Sequence, residues 1–280
     1  MENIEGIKSI VRQKYTRIAE QGKEENQTSC CGAGGCSTEV YNIMTDDYGN
    51  VEGYQNETDL GLGCGLPTEF AKIQAGDIVI DLGSGAGNDA FVARQQVGMD
   101  GRVIGVDFTP AMIQKASINA HKLGFTNVEF REGDIENMPV MGNFADVVIS
   151  NCVLNLVPNK DNVFKEIFRV LKSGGHFAIS DVVLVGELPD ALKNDAEMYA
   201  GCVSGAIQKT DYLDLIRKNG FENILIQKEK KIIIPDDILS KYMSSEEIQQ
   251  FKSGSTGTGI YSITVYAEKP HACSCGSGCC

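Results

Sequence analysis

The stretch GDIVIDLGSGAGNDA, residues 76–90, gives the first indication of how this chain folds. Its first half is apolar and has the length of a buried strand, and its second half is a glycine-rich turn that leads into a helix. Glycines allow a backbone to turn sharply and to approach a ligand closely. Because G-x-G-x-G patterns also occur in ordinary turns, the preceding strand and the acid Asp81 at its end carry more weight. The stretch predicts a strand, a ligand-binding turn and a helix.

Strand-like and helix-like patterns alternate beyond this stretch. Four runs have the apolar composition and length of strands, at residues 102–110, 127–136, 145–157 and 174–184. Helical patterns lie between some of them, at residues 112–123 and 161–171. Such alternation favours an α/β fold with a mostly parallel sheet and helices on both of its faces.

The segments that flank this alternating core have a different character. A surface helix is predicted over residues 3–21, followed by a cysteine-rich loop. Residues 187–220 have a mostly helical pattern that is longer than one crossover needs, and two more strands, at 221–234 and 259–269, enclose a helical insertion. We divide the chain into an N-terminal part, a core, a helical insertion with closing strands, and a flexible cysteine-rich tail, at residues 1–75, 76–185, 186–269 and 270–280.

The composition limits the classes of function. The 25 basic and 38 acidic residues give a net charge of −13, which repels phosphate backbones and argues against nucleic acid as a partner. No apolar run approaches the roughly 18 residues of a membrane span, and the N-terminal stretch lacks the apolar core of a signal peptide. We therefore expect a cytoplasmic protein with no membrane partner. Ten cysteines in a reducing compartment favour binding of a soft metal or metalloid, or redox chemistry, over a disulfide scaffold.

Three acids are predicted to lie at one edge of the sheet. Asp81 follows the first strand, Asp107 ends the second strand, and Asp134 ends the third. Open parallel sheets bind ligands at the carboxyl ends of their strands, where an acid about 20 residues beyond the glycine loop accepts hydrogen bonds from ribose hydroxyls. That role suits Asp107, and Asp134 is placed to meet an adenine amino group. The carboxylate of Asp81 suits the amino end of S-adenosylmethionine better than a phosphate, although a capping or turn role is the alternative for Asp81 and Asp107.

From DLGSGAG (81–87) through VDFTPAMI (106–113) and GDIENMP (133–139), the chain resembles the class I S-adenosylmethionine-dependent methyltransferases. The resemblance implies a Rossmann-like, mostly parallel seven-stranded sheet whose last strand is antiparallel, and residues 259–269 stand where that strand belongs. It also implies a set of residues that hold S-adenosylmethionine, namely Asp81, Gly83, Ser84, Gly85, Gly87, Asp107, Phe108, Met112, Asp134, Ile135 and Asn151.

Three cysteines, far apart in sequence, are candidates for binding a substrate. Cys64 lies in LGLGCGLP before the first strand, Cys152 in SNCVLNLVP at the end of the fourth, and Cys202 in MYAGCVSGA within the helical insertion. Their segments are expected to converge near the mouth of the cofactor site. Taken singly, each cysteine can also be a small apolar core residue. The glycines on either side of Cys64 are expected to leave its thiol little to pack against.

GLGCGLP, ISNCVLNLVPNK, FRVLKSGG, ISDVV and MYAGCVSGA together resemble the arsenite methyltransferases, which methylate trivalent arsenic. The resemblance implies that Cys64, Cys152 and Cys202 bind arsenic and carry the catalysis. Many members have a further functional cysteine near the N-terminus, and Cys30, Cys31 and Cys36 are alternatives for that role. For the cysteines of the tail, capture of arsenite and simple sequestration of metals remain equal alternatives.

The expected chemistry follows from the properties of arsenic. Trivalent arsenic is soft and thiophilic, like the metals that select thiolate ligands, and three thiolates leave its lone pair to attack a methyl group. No proton leaves the attacking atom, so no general base is needed, and His121, His176 and His271 are predicted to be structural or surface residues. The expected partners are arsenite and methylated trivalent arsenicals, with thioredoxin or glutathione as the reductant for turnover. The alternatives are a methyltransferase for an organic acceptor, such as a quinone precursor, and a metalloid-binding protein without enzymatic activity.

Overall fold

The computed structural model describes residues 2–21, 48–49, 51–187, 205–233, 236–240, 243–253 and 258–272. Seven strands form one sheet: β1 (Ile78–Leu82), β2 (Arg102–Asp107), β3 (Val128–Glu132), β4 (Ala145–Asn151), β5 (Leu171–Val185), β6 (Glu222–Ile232) and β7 (Gly259–Glu268). The helices of the described residues are α1 (Glu2–Glu20), α2 (Pro67–Phe70), α3 (Asn88–Val97), α4 (Pro110–Lys122), α5 (Lys160–Val170), α6 (Lys209–Lys218), α7 (Asp236–Leu239) and α8 (Ser245–Ser253).

The strands are arranged in the order β3-β2-β1-β4-β5-β7-β6. Strands β1 to β5 pair in parallel with one another, and β7 pairs antiparallel with both β5 and β6. This confirms the predicted α/β fold with an antiparallel last strand. The order reverses between β1 and β4, because the chain first builds the sheet towards β3 and then returns to β4. In open sheets of this kind the ligand crevice lies outside the carboxyl ends of the strands at such a reversal.

Helices on both faces explain why the central strands are apolar throughout. In β1, Ile80 and Leu82 belong to the core on one face, with Phe164 and Phe177, whereas Val79 belongs to the core on the other face. Each of these side chains is almost fully buried. Strand β6, at the edge of the sheet, is instead largely exposed and carries several lysines, which discourage pairing with a further strand. The buried centre of the sheet therefore provides a rigid base for the loops at its carboxyl edge.

Several boundaries differ from those expected. The predicted strand 145–157 is wrong beyond Asn151, where the chain turns at Cys152 and forms a 3₁₀ turn at Leu154–Leu156. The apolar residues after Asn151 belong to the core without being part of the sheet, which an apolar run alone cannot distinguish. Of the region 187–220, the described residues contain α6, and residues 188–204, with Cys202, lie outside the described part.

Helix α1 packs along the core and confirms the predicted N-terminal helix. Its apolar residues Val11, Ile18 and Ala19 are buried, and Lys115 of α4 donates hydrogen bonds to the carbonyl oxygens of Ala19 (2.8 Å) and Gln21 (2.9 Å). The last turn of α1 is therefore attached to the helix that follows β2. Among the described residues, no helix combines the length and the apolar character that crossing a membrane requires.

Candidate active site

A cleft with an empty volume of about 780 Å³ lies at the carboxyl ends of β1, β2 and β4. The glycine loop that follows β1 forms one wall, and Gly83, Gly85 and Gly87 all have positive φ angles. Residues 58–60 and 62–63 form another wall together with Tyr15 of α1. Eight of the residues predicted from the sequence line this cleft: Asp81, Gly83, Ser84, Gly85, Asp107, Phe108, Asn151 and Cys152.

A second cleft of about 370 Å³ adjoins the first and shares Gly83, Asp107 and Phe108 with it. Asp134 and Ile135, which were predicted to hold adenine, line this second cleft. Together the two clefts form one elongated site. The site extends from the glycine loop to the end of β3.

Two of the residues predicted to bind the cofactor are packed against other residues of the protein. Gly87 precedes α3, and a side chain there would collide with the ring of Phe91. Met112 is fully buried in a cluster with Ile18, Leu60 and Ala86. Their contact with a cofactor stays a prediction.

The Asp81 carboxylate is buried and poised to accept a ligand. It accepts a hydrogen bond from the Ala90 amide, and its Oδ2 has no partner among the described residues. Ser84 Oγ and Asn88 Oδ1, which line the same cleft, are likewise buried and without a partner there. Burial raises the pKa of Asp81 well above its ordinary value, and the charges of Asp89 and Asp107 raise it further. An unpartnered carboxylate among other acids favours a cationic group.

Asp107 is held rigidly at the end of β2. Its Oδ2 accepts a hydrogen bond from the Gly85 amide (3.0 Å) and its Oδ1 accepts one from the Thr109 amide (2.8 Å). Burial raises the pKa of Asp107, and these two backbone hydrogen bonds offset part of that rise. Each carboxylate oxygen can accept more than one hydrogen bond, so the geometry leaves room for the predicted contacts to ribose hydroxyls.

A polar network that the sequence did not reveal joins the cleft to the Cys64 segment. The Tyr48 hydroxyl donates to Asp89 Oδ1 (2.8 Å), and Asn151 Nδ2 lies 3.1 Å from Asp89 Oδ2. Burial raises the pKa of Asp89 to about 6, although the hydrogen bonds from Tyr48 and Asn151 counter the rise. Asp89 could have been found as the acid in the first turn after the glycine loop, whereas nothing in the sequence marks Tyr48.

Cys64 is positioned by residues from distant parts of the chain. Its amide donates to Asn151 Oδ1 (2.9 Å), and its carbonyl oxygen accepts from the Ser262 hydroxyl of β7. Its side chain is only 1% exposed and belongs to an apolar cluster with Val182 and Ile260. The expectation that its thiol would have little to pack against is therefore wrong.

The glycines beside Cys64 serve close approach of the backbone. Gly63 has a φ of 109°, and a Cβ there would lie 2.8 Å from the Asn151 amide nitrogen. A Cβ on Gly65 would lie 2.5 Å from the Ser180 hydroxyl oxygen. Side chains at either position would push Cys64 away from the end of β4 and from Ser180 of β5.

Cys152 lies directly after β4 and lines the cleft. Its backbone is left-handed, with a φ of 59°, and its amide donates to the Ser180 carbonyl oxygen (2.8 Å). Such a conformation in a residue other than glycine costs of order 1–3 kcal/mol and is concentrated at functional sites. Cys152 belongs to the same buried cluster as Cys64, and both thiols are close enough to raise the pKa of the buried Tyr212 hydroxyl, whose pKa is raised first by burial and by Asp181.

The remaining predicted cysteines, Cys202, Cys30 and Cys31, lie outside the described residues, as does Cys36. The chain is described again from residue 205, where the Lys160 ammonium donates to the Gly205 carbonyl oxygen (2.8 Å) and the Leu184 amide donates to the Ile207 carbonyl oxygen (2.9 Å). Ala206 belongs to the same buried cluster as Cys64 and Cys152. Residues 205–207 are therefore anchored to the core that contains those two cysteines.

The histidines have structural or peripheral positions. His176 lies in β5, and its Nε2 is 2.6 Å from the Ala71 carbonyl oxygen. His121 is in the last turn of α4, and the ring of His271 lies against Gly174. None of the described residues that line the two clefts is a histidine.

The glycine loop, the sheet order and the acidic cleft are those of a class I S-adenosylmethionine-dependent methyltransferase. In agreement, a family model described as a methyltransferase domain matches residues 73–220. The arsenite methyltransferase of Halobacterium salinarum is 40% identical over 279 residues, which cover 95% of this chain and 67% of that protein. The arsenite methyltransferase of Aquipseudomonas alcaligenes is 34% identical over 239 residues, which cover 82% of this chain and 66% of that protein.

A solved structure gives the same result. The crystal structure of an arsenic(III) S-adenosylmethionine methyltransferase from Chlamydomonas reinhardtii matches this chain with a TM-score of 0.61 and 32% sequence identity. The match covers 84% of this chain and 74% of that one. The chain belongs to the arsenite methyltransferase family, as its motifs predicted. It spans about two thirds of the length of the two curated relatives.

Proposed function

We propose that this protein transfers methyl groups from S-adenosylmethionine to trivalent arsenic that is bound by the thiolates of Cys64, Cys152 and Cys202. The observation that carries this proposal is the position of Cys64 and Cys152. They come from segments 88 residues apart, yet both belong to one buried cluster, and Cys152 also lines the cleft. Apolar filling alone does not require two thiols in one buried cluster that reaches the cofactor cleft.

The residues of the cleft suit S-adenosylmethionine, which supplies an electrophilic methyl group on a sulfonium centre. Asp81, with its unpartnered Oδ2, would hold the ammonium of the methionine part. Asp107 would bind the ribose, and Asp134 with Ile135 would contact adenine. None of the described residues that line the first cleft is a lysine or an arginine, so the electrostatic field inside the cleft favours a cation.

Arsenite suits the cysteine cluster because arsenic prefers soft sulfur ligands. Each thiol replaces one hydroxyl of arsenite, forming an As–S bond and releasing one water molecule. The apolar neighbours of the thiols, among them Leu156, Val182 and Ile260, exclude water and so oppose hydrolysis of these bonds. Three thiolates leave the lone pair of arsenic free to face the cleft.

Methyl transfer requires alignment of donor and acceptor. The arsenic lone pair forms the As–C bond as the S–C bond breaks, and S-adenosylhomocysteine leaves. Holding two reactants in line is worth about 7–11 kcal/mol in favourable cases, and no base is needed because no proton leaves arsenic. Two thiolates that then close as a disulfide return two electrons to arsenic. Thioredoxin or glutathione would reduce that disulfide and allow a second methylation, of methylarsenite.

The third thiol is proposed from the chain's connectivity. Three residues lie between Cys202 and Ala206, and a fully extended chain spans at most about 3.3–3.6 Å per residue. Because Ala206 is buried in the cluster of Cys64 and Cys152, we propose that Cys202 reaches the same arsenic atom. A supporting role for Cys30 or Cys31 in arsenic binding or in disulfide exchange remains part of the proposal.

One experiment tests the proposal. The full chain is incubated with labelled S-adenosylmethionine, arsenite and a thiol, and the products are separated by chromatography. Labelled methyl- and dimethylarsenicals are expected. Transfer of label only to an added quinone precursor would favour the organic acceptor, and arsenite binding without formation of S-adenosylhomocysteine would show a binding protein; either result would contradict the proposal.

A further inference from the structure

We infer that Asn151 is a positioning residue that fixes the separation between the thiols of Cys64 and Cys152. Asn151 is the last residue of β4, so it is covalently joined to Cys152, and its side chain accepts the hydrogen bond of the Cys64 amide at 2.9 Å. One residue therefore connects both cysteine segments. This inference rests on the proposed function, in which both thiols bind the same arsenic atom and their separation therefore matters.

The orientation of the Asn151 amide is set by its partners. The backbone amide of Cys64 can only donate, so it requires an acceptor, which is Oδ1. On the other side, Nδ2 lies 2.7 Å from the Tyr48 hydroxyl oxygen, 2.8 Å from the Gly65 carbonyl oxygen and 3.1 Å from Asp89 Oδ2. The acceptors around Nδ2 and the donor that faces Oδ1 are compatible with only one orientation of the Asn151 amide. An amide turned by 180° would lose both sets of contacts.

Tyr48 and Asp89 hold the Nδ2 side of the Asn151 amide. Tyr48 is 4% exposed and Asp89 is 8% exposed, and the Tyr48 hydroxyl donates to Asp89 while lying 3.2 Å from the Gly65 carbonyl oxygen. Buried polar networks with every member satisfied make a single arrangement rigid. The network therefore holds the backbone on both sides of Cys64, at its amide and at the Gly65 carbonyl.

The close contact of Gly63 with Asn151 supports the same conclusion. A Cβ on Gly63 would lie within 3.0 Å of three atoms of the Asn151 amide. The chain thus approaches this side chain as closely as a backbone can, and glycine is the residue that allows it. Such an approach is unnecessary if Asn151 only contacts a cofactor from the cleft.

The network also places the thiol spacing under the influence of the cofactor cleft. Asp89 and Asn151 both line the cleft, and the charge of Asp89 raises the pKa of Asp81. A cation bound at Asp81 stabilises the charged form of Asp89, which is the better acceptor for Tyr48 and Asn151. We therefore expect the occupied cleft to tighten the hold on Cys64.

A double-mutant cycle with Asn151→Ala and Cys64→Ser tests the inference on the full chain. Affinity for arsenite is measured by equilibrium dialysis with elemental arsenic detection under a phosphine reductant, and affinity for S-adenosylmethionine by calorimetry. Asn151→Ala is expected to weaken arsenite binding by about 10-fold in the wild-type background, since it removes buried hydrogen bonds, and to have no effect in the Cys64→Ser background. In steady-state assays the KM for arsenite should rise far more than the KM for S-adenosylmethionine.

Asn127→Ala is the matched control. Asn127 also holds a turn, because its Nδ2 donates to the carbonyl oxygens of Gly98 (2.8 Å) and Gly101 (2.9 Å), but it lies away from the cysteines. It should lower stability without changing affinity for arsenite. Equal effects of Asn151→Ala in both backgrounds, or none in either, would overturn the inference. Unchanged arsenite binding in Cys64→Ser alone would instead refute the proposed function, and the inference with it.

Discussion

The ammonium of Lys8 in α1 lies 2.6 Å from Asp134 Oδ2, at the rim of the second cleft. It also lies 2.5 Å from Glu136, so one lysine connects the N-terminal helix to the chain that follows β3. The same helix provides Tyr15 to the first cleft and places Arg12 over the ring of Phe108 at 5.5 Å. Helix α1 therefore covers the region predicted to hold the adenosine.

Lys8→Met should weaken the binding of S-adenosylmethionine about fivefold, since each partly exposed ion pair contributes up to about 1 kcal/mol. Loss of the two ion pairs loosens the cover that α1 forms over the cleft. Calorimetry at low and high salt measures the effect, which should shrink as salt screens the pairs. Lys122→Met, at an exposed lysine of α4, serves as control. Tighter binding in Lys8→Met would show that Lys8 competes with adenine for Asp134.

Asp81→Asn should weaken the binding of S-adenosylmethionine by about 10- to 100-fold, because a hydrogen bond to a charged group contributes about 1.5–3 kcal/mol. The substitution keeps the shape of the side chain and removes its charge, so affinity for arsenite should stay unchanged. Calorimetry with each ligand measures both. The matched control is Asp77→Asn, four residues earlier, whose carboxylate accepts from the Gln74 amide outside the cleft. Unchanged cofactor affinity in Asp81→Asn would argue that another acid holds the ammonium.

Cofactor affinity should fall as the pH is lowered through about 6. The pKa of Asp89 is raised to about 6 by burial, and Asp59 raises it while Tyr48 and Asn151 lower it. Above this pH the carboxylate is charged and attracts a cation, and below it the proton must first be displaced. Between pH 7.5 and 5.5 protonation of Asp89 should raise the Kd for S-adenosylmethionine by up to about fourfold. Calorimetry in buffers of different ionisation enthalpy should detect proton release near pH 6, and a Kd independent of pH would contradict this assignment.

Cys152→Ser should abolish methylation of arsenite and leave cofactor affinity within about threefold of wild type, because a hydroxyl is a poor ligand for a soft element. Serine tolerates the left-handed backbone at this position as well as cysteine does, so the fold should persist. Product chromatography with labelled cofactor measures activity, and calorimetry measures cofactor binding. Formation of methylarsenicals at the wild-type rate would remove Cys152 from the arsenic site.

Local sequence patterns were sufficient for the core of the fold. The alternation of strands and helices predicted the parallel sheet, and the resemblance carried by residues 81–139 implied the antiparallel last strand. Both features follow from the order in which strands and helices succeed one another along the chain. The strand after Ala145 was predicted too long because an apolar residue is buried equally well in a strand or in a turn. Its end at Asn151 depends on contacts with Cys64 and Tyr48, which no local period encodes.

The surroundings of the proposed site could be predicted only in part. Asp81 and Asp107 stand at fixed distances from the glycine loop, so their place in the cleft followed from the fold class. The pairing of Asp134 with Lys8 joins residues 126 positions apart, and it could not be predicted from either segment. The burial of Cys64 likewise depends on tertiary packing and not on its glycine neighbours.

The hydroxyl of Ser262, on the last strand, reaches the carbonyl oxygen of Cys64, 198 residues earlier in the chain. Strand β7 inserts between β5 and β6, so it can pair only after both have left the ribosome. The glycine loop and its acids are thus synthesised long before the surroundings of Cys64 are complete. The wall around Cys64 is therefore closed only when β7 has paired, so a late step of folding completes the surroundings of a residue that was synthesised much earlier.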